Sequence, residues 1–502
     1  MKRLKIAVGI WLAVSPLMAQ SPTGVATEPF MVADALQSHM VIQQAKPFTL
    51  WGKGVPATKI IIQPDWCKES TVALVDIKGN WFGKIQVPEA KTGDFTAHRI
   101  NLSSSGKTVE LSDILIGEVW FCSGQSNMNM SMQPNLPYHE GVYDFEKEIA
   151  AADHPGMRII RVELAGSDTV QESFKGKWNL CTPATVRTFG AVAYYFGQSL
   201  LAKLNIPVGL VLSAYGGSSC QAWTREEDII ADPILKDKYW DRFESDTAKR
   251  FIRSRMLYNS MVHPLRHLSI KGIIWYQGES NAGDKSFYTR LNSAMIKGWR
   301  KEFNQGELPF YFVQMTPYNW KKEDYYVDNY AYFREAQQAV LNTVANTDMI
   351  VTMDNNEITK IHPRNKLVFG KRLALIALNR NYGQPGIVSH GPKVKGINFE
   401  DDKVLVSWDP GYPSGKLTTS DGTTAQHFYV AGEDKIFHKA EAVIKDNTII
   451  LTCNNVKKPK SVRYAFLNYP VTNLFNDKGL PALPFRSDDW KVVSYFDNAL
   501  KE

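Results

Sequence analysis

Val119-Trp120-Phe121-Cys122-Ser123-Gly124-Gln125-Ser126-Asn127-Met128 passes within a few residues from an apolar run to a small, polar turn. The run reads as a strand, and Gly124 before Ser126 allows a sharp strand-to-helix turn that exposes a hydroxyl and turns backbone N–H groups toward an anion. Met128 stands where the Gly-x-Ser-x-Gly elbow of α/β-hydrolases has its second glycine, so this turn is of another kind.

Downstream, further apolar runs read as strands: Met157–Val162, Val208–Ser213, Gly272–Tyr276, Phe310–Gln314 and Met349–Met353. Between them, Ala191–Leu204, Tyr288–Phe303, Tyr330–Val344 and Lys366–Leu378 place apolar residues at helical spacing. Such alternation predicts a parallel sheet covered on both faces. On either side the texture differs. From Val32 to Leu115 come short β-rich runs (Phe48–Trp51, Lys59–Gln63, Thr71–Asp76, Trp81–Val87) with turns such as Gly79-Asn80, which predict a small β-sandwich. After His390 short runs return (Val404–Trp408, His427–Val430, Ala442–Ile444, Thr448–Thr452, Ser461–Phe466). The expected organisation is a β-sandwich over residues 28–114, an α/β catalytic unit over 115–390 and a β-rich domain or extension over 391–502.

Residues 1–19 have the form of a secretory signal. Lys2, Arg3 and Lys5 precede a mostly apolar Ile6–Met18, and Ala19 closes it, which is short of the ~20 residues that span a bilayer. Cleavage near Ala19 predicts an exported chain, periplasmic or extracellular, with no membrane span. No cysteine precedes Cys67, which argues against a lipid anchor. The net charge of +7 includes three cations of that segment, and the remainder is too small to imply a nucleic acid or other polyanionic partner. Five dispersed cysteines give no metal-ligand spacing and leave room for one or two disulfides. Cys122 and Cys220 read as packing residues.

In open parallel sheets, ligand-binding groups gather on loops leaving the carboxyl ends of strands. Four such loops here carry chemistry. The first holds Ser126. In the second, Ser213-Ala214-Tyr215-Gly216-Gly217-Ser218-Ser219, paired glycines let a main-chain N–H approach an oxyanion. The third is Trp275-Tyr276-Gln277-Gly278-Glu279-Ser280-Asn281, where Asn281 offers an amide donor; Gln125, Gln277 and Glu279 are candidate substrate-loop residues. The fourth, after Met353, carries Asp354, Glu357 and Ile361-His362-Pro363. Together they supply a nucleophile, a base and oxyanion donors for acyl transfer. His263, beside Pro264 and near His267, reads as structural.

The strings Gly117-Glu118-Val119-Trp120 through Met128, Trp275 through Asn281, and Ile361-His362-Pro363 through Lys366, Gly370 and Arg372-Leu373-Ala374 closely resemble the sialate O-acetylesterases of the SGNH (GDSL-like) hydrolase superfamily. Met40-Val41-Ile42-Gln43-Gln44 with Trp51-Gly52 looks like that family's N-terminal β domain. Gly479-Leu480-Pro481-Ala482 with Pro484-Phe485-Arg486 looks like its C-terminal signature. The resemblance implies a flavodoxin-like three-layer core. It also implies hydrolysis of acetyl esters on sialic acids or, in some relatives, on plant polysaccharides, with Ser126, Gly217 (or Gly216), Asn281 and His362 in the four conserved roles.

Many superfamily members carry an Asp three residues before the His, where this chain has Thr359. Asp354 and Glu357 are the nearest carboxylates, but the turn before Pro363 is expected to let a backbone carbonyl accept the His362 proton, giving a Ser–His dyad. The expected mechanism requires no metal or organic cofactor. An acetyl xylan or other polysaccharide esterase would use the same residues. A non-catalytic glycan-binding protein on a hydrolase-like core would have no need to retain Ser126, Asn281 and His362 together.

Overall fold

The computed structural model describes residues 30–240, 253–319, 329–491 and 493–496. The signal-like segment 1–19 therefore lies outside the described residues. The chain is organised on one long strand, β1 (Lys107–Gly124), which runs without a break through Leu115. Its first half pairs with His98–Ser104 and with Val41–Gln43 in the N-terminal β region. Its second half becomes the middle of the central sheet.

The remaining strands of that sheet are β2 (His154–Arg161), β3 (Trp178–Cys181), β4 (Val208–Ala214), β5 (Gly272–Tyr276), β6 (Phe310–Val313) and β7 (Thr347–Ile350), in the spatial order β3-β2-β4-β1-β5-β6-β7. All are parallel to β1 except β3, an edge strand antiparallel to β2 that the apolar pattern did not reveal. Ile114–Gly124 is buried without interruption, as a strand with both faces covered must be. Val119 and Phe121 face one side, where Phe121 meets Trp299 and Phe303 of α2 (Ser286–Phe303). Beside α2 lies α3 (Asn329–Thr343). Trp120 and Cys122 face the other side, where Trp120 meets Phe196 of α1 (Ala191–Leu204). There α1 lies against α4 (Lys366–Asn381), and Gly370 lets the two approach: a Cβ on it would stand 2.6 Å from that of Tyr195.

The N-terminal strands Pro47–Gly54 and Asn80–Gln86 form one small sheet with Phe30–Val32. Lys59–Pro64, Thr71–Leu74 and His98–Ser104 belong to the sheet that faces it, with Phe48, Leu50, Ile60, Ile62 and Trp81 buried between. After residue 390 the chain is β-rich again, around Val404, Val406, Trp408, Phe428 and Tyr464. Arg334 of α3 fastens this region by donating to the carbonyls of Leu467 and Asn468. All five cysteines are free thiols; Cys122 and Cys220 are buried and pack, as expected, Cys220 against the Met295 sulfur at 3.8 Å. Among the described residues no helix is long and apolar enough to cross a membrane.

At the carboxyl end of β1 the backbone turns at Gly124, whose φ is +141°. A Cβ there would lie 2.2 Å from the carbonyl oxygen of Tyr276, the last residue of β5. Only glycine fits both the torsion and the gap. Gly124→Ala is accordingly expected to lower stability by at least about 2 kcal/mol in urea unfolding and to lose most activity with it, because the turn that sets the Ser126 hydroxyl has to move.

Candidate active site

The order of the central sheet reverses at β1, whose carboxyl end lies between those of β4 and β5, the position where open α/β sheets form their ligand crevice. A cleft of about 950 Å³ opens there, lined by Ser126, Tyr138, His139, Arg161, Gly217 and His362 among others. A second cavity, of about 460 Å³, lies between β7 and the C-terminal region. Asp348 there is already paired with Arg380 and His390.

Three backbone bonds hold the Ser126 turn: Gln125 N–H to the Tyr276 carbonyl (3.0 Å), Tyr215 N–H to the Gly124 carbonyl (3.0 Å) and Met130 N–H to the Ser126 carbonyl (2.8 Å). Ser126 begins a one-turn helix, Ser126–Asn129, so its own N–H has no intrahelical acceptor. Gly216 sits against Ser126: a Cβ built on it would lie 3.8 Å from the Ser126 Cβ. The N–H groups of Ser126, Gly216 and Gly217 are without a backbone acceptor among the described residues. Gly217 uses its carbonyl instead, accepting from Ser280 Oγ at 3.0 Å.

His362 is half-buried, and its Nδ1 lies 2.8 Å from the carbonyl oxygen of Tyr138. A carbonyl only accepts, so Nδ1 carries the proton and Nε2 of the neutral ring is left as a base. The orienting group is thus a backbone carbonyl, as expected, but it comes from a segment more than two hundred residues upstream. Arg364 secures that segment through the carbonyls of Gly141 (3.2 Å) and Val142 (3.0 Å). Burial lowers the His362 pKa, the charge of Lys366 lowers it further, and the bond to Tyr138 partly opposes both.

Beneath the cleft floor, Asn127 connects three loops. Its amide nitrogen donates to Glu279 Oε1 (2.6 Å) and to the carbonyl of Ile361 (3.0 Å), and its oxygen accepts from Lys366 Nζ (2.5 Å). Burial pulls Lys366 down to about 7 and pushes Glu279 up, while the attraction between the two opposes each shift.

Not every predicted site residue reaches the cleft. Gln125 and Glu279 line it. Gln277 is interior: it donates to Asn281 Oδ1 (2.6 Å) and the Ser218 carbonyl (3.2 Å) and accepts from Tyr288. Asn281 is also buried and is no oxyanion donor. Both amide hydrogens are taken, by Gln221 Oε1 (3.0 Å) and Asp284 Oδ2 (2.8 Å), and its oxygen accepts from Cys220 N–H and Gln277. The amide holds the second and third loops together from behind. Asp354 forms a bidentate pair with Arg372, and Glu357 accepts from the N–H groups of Arg364 and Asn365, so both carboxylates are engaged away from His362. His263 is structural, bonded to the Gln171 carbonyl at 3.0 Å.

Sequence reasoning missed Tyr138, His139 and Arg161, and gave Asn127 and Lys366 no role. Arg161 is the last residue but one of the predicted strand Met157–Val162, on the correct edge, and could have been found on that ground. Tyr138 contributes backbone, which leaves no side-chain signal. Among the described residues no group of three or more His, Cys, Asp or Glu side chains is placed to hold a metal ion.

A family model described as "Carbohydrate esterase, sialic acid-specific acetylesterase" matches residues 116–379, more than half of the chain. The chain belongs to this family. It is a carboxylic ester hydrolase. Among relatives of the esterase, the sialate O-acetylesterase of Rattus norvegicus is 28% identical over 425 residues, covering 74% of this chain and 77% of that protein. That of Homo sapiens is 27% identical over 414 residues, covering 75% and 76%. The crystal structure of a carbohydrate acetylesterase from Xanthomonas citri superposes with a TM-score of 0.82 at 30% identity, covering 92% of this chain and all of that one.

Two outcomes follow from this geometry. Asn281→Ala should destabilise the esterase by about 1–3 kcal/mol in urea unfolding, because it orphans buried partners. Its kcat should fall less than about tenfold, short of the 10²–10³ that an oxyanion donor costs. The acid limb of kcat/KM against pH should have its midpoint below 6.5, since His362 is the more readily deprotonated for being buried beside Lys366. Lys366, with a pKa of about 7, is cationic across that limb, so Lys366→Met should move the midpoint upward.

Proposed function

We propose that the enzyme removes O-acetyl groups from sialic acids through an acetyl-serine intermediate. Ser126 Oγ attacks the acetyl carbonyl carbon as His362 Nε2 takes its proton. The oxyanion rests on the N–H of Ser126 and that of Gly217, with Gly216 N–H the alternative. His362 returns the proton to the departing sugar oxygen as the ester C–O bond breaks. Water then attacks the acetyl-serine, again losing its proton to His362, and acetate leaves while Ser126 regains its hydrogen. The observation that carries this reading is the 2.8 Å contact between His362 Nδ1 and the Tyr138 carbonyl, which fixes the tautomer a base requires. His362 and Ser126 line one cleft, and the proton transfer requires their side chains to come within hydrogen-bond reach in the complex with substrate.

Family membership and the two sialate O-acetylesterase relatives support the substrate. Counting only β1, β4, β5, β6 and β7 in chain order, the spatial order is 2-1-3-4-5, which supports a flavodoxin-like SGNH core with β2 and β3 added at one edge. The change of texture near residues 115 and 390 supports division into N-terminal β, catalytic and C-terminal β regions. The basic and apolar start of the sequence supports export, with periplasmic or extracellular action.

Acetate release from O-acetylated sialic acid, acetylated xylan and an activated aryl acetate tests the proposal. The sialic acid substrate should be turned over, and Ser126→Ala should lose on the order of 10⁶ in kcat while remaining folded. Turnover of xylan without sialate would make the enzyme a polysaccharide esterase. Absence of turnover on all three would leave a glycan-binding protein.

A further inference from the structure

Arg161 is the last residue of β2, on the sheet edge that carries the nucleophile. It lies opposite Leu212 of β4, which in turn lies opposite Cys122 of β1. Two strand spacings, about 10 Å, therefore separate its backbone from the end of β1. Its side chain reaches back across that gap. Nη2 donates to Asn129 Oδ1 at 3.0 Å, and Asn129 stands three residues after Ser126 on the same helical turn, about 5–6 Å from it between Cβ atoms. Nη1 donates to the carbonyl of Thr188 at 2.5 Å. Nε–H and one further hydrogen on each Nη remain, enough for a bidentate grip on a planar anion.

Most buried arginines have carboxylates against them: Arg158 has Asp113, Arg225 has Asp228 and Glu302, Arg372 has Asp354 and Arg463 has Asp488. Arg334 has none, but it is wholly interior and committed to the carbonyls of Leu467 and Asn468. Arg161 meets neutral oxygens alone among the described residues, while lining a water-accessible cleft. Burial lowers its pKa with no acid to offset the shift. Its charge also reaches His139 across the cleft, which burial, His362, Lys366 and Arg161 together bring down to about 4. A half-buried guanidinium held in place, with donors to spare and no counterion, is the form a carboxylate subsite takes.

We propose that Arg161 binds the C1 carboxylate of the sialic acid whose O-acetyl group Ser126 attacks. The inference rests on the sialate reading above. Neutral acetylated sugars have no group to neutralise this cation, so Arg161 selects for the acidic sugar.

The test compares kcat/KM for one O-acetylated sialic acid with that for its C1 carboxamide, read as acetate release, in wild type, Arg161→Gln and Arg161→Lys. In wild type the acid should be preferred by roughly 10- to 100-fold, mainly through KM, because the carboxylate is remote from the reacting carbon. The preference should shrink at high ionic strength. Arg161→Gln should bring the ratio close to one, and Arg161→Lys should retain part of it. A structural role would lower both substrates alike and preserve the ratio. The proposal is overturned by a wild-type ratio near one, or by a ratio undiminished in Arg161→Gln; should that variant not fold, Arg161→Lys and the salt dependence decide in its place. Wild-type turnover of acetylated xylan but of neither sialate would instead overturn the substrate reading, a separable result.

Discussion

The active site depends on one buried amide. Asn127 follows Ser126 directly, and its two hydrogens and its oxygen reach the loop after β5, the His362 loop and the first residue of α4. Strand ends alone would leave these loops free to drift relative to one another, and misplacing a reacting group by an ångström costs orders of magnitude in rate. Asn127 removes that freedom because it is wholly buried and each of its three bonds goes to a different loop, the one from Lys366 coming from a buried cation that needs an acceptor. An aspartate would repel Glu279 and a leucine would orphan three groups, so an amide is what this place accommodates.

The same cluster sets the electrostatics around His362. Lys366 is wholly buried, opposed by Glu279 and stacked near the rings of Tyr276 and Phe369. Removing both charges from water is costly, and a well-packed apolar pair would often be at least as stable. What the pair supplies is a cation next to His362 that favours the neutral ring, while Tyr138 fixes which nitrogen keeps its proton. Field and tautomer act together: one makes the imidazole available as a base, the other aims it.

The sheet was legible because its strands are continuous apolar runs and its helices are amphipathic, and both periodicities survive in a single sequence. The predicted Gly272–Tyr276 and Ala191–Leu204 match the observed elements end to end. β3 escaped notice because Trp178–Cys181 is a short edge strand with polar Asn179 in it. At the candidate site, that Ser126 and His362 share one cleft was legible because their loops leave the same edge of the sheet. Asn281 misled because its motif position suggests a donor to substrate, while its hydrogens are committed to Gln221 and Asp284, partners that only the fold brings near. The carbonyl of Tyr138 was illegible for the opposite reason, since backbone groups carry no residue identity.

Chemistry and selectivity are therefore built from different material. The floor, from Ser126 through Asn127 to Glu279 and Lys366, is tied to the interior of the sheet and is insensitive to what lies above it. The wall is made by the end of β2 and by the segment around Tyr138 and His139. That wall is not independent of His362, because Tyr138, one of the residues lining the cleft, also lends its carbonyl to the His362 ring. A wall altered to fit another sugar must keep the backbone at 138 within hydrogen-bond reach of Nδ1, or the base loses its tautomer. Selectivity can change freely only through side chains, which is why a single guanidinium at the end of a strand is an economical place to choose between an acidic sugar and a neutral one.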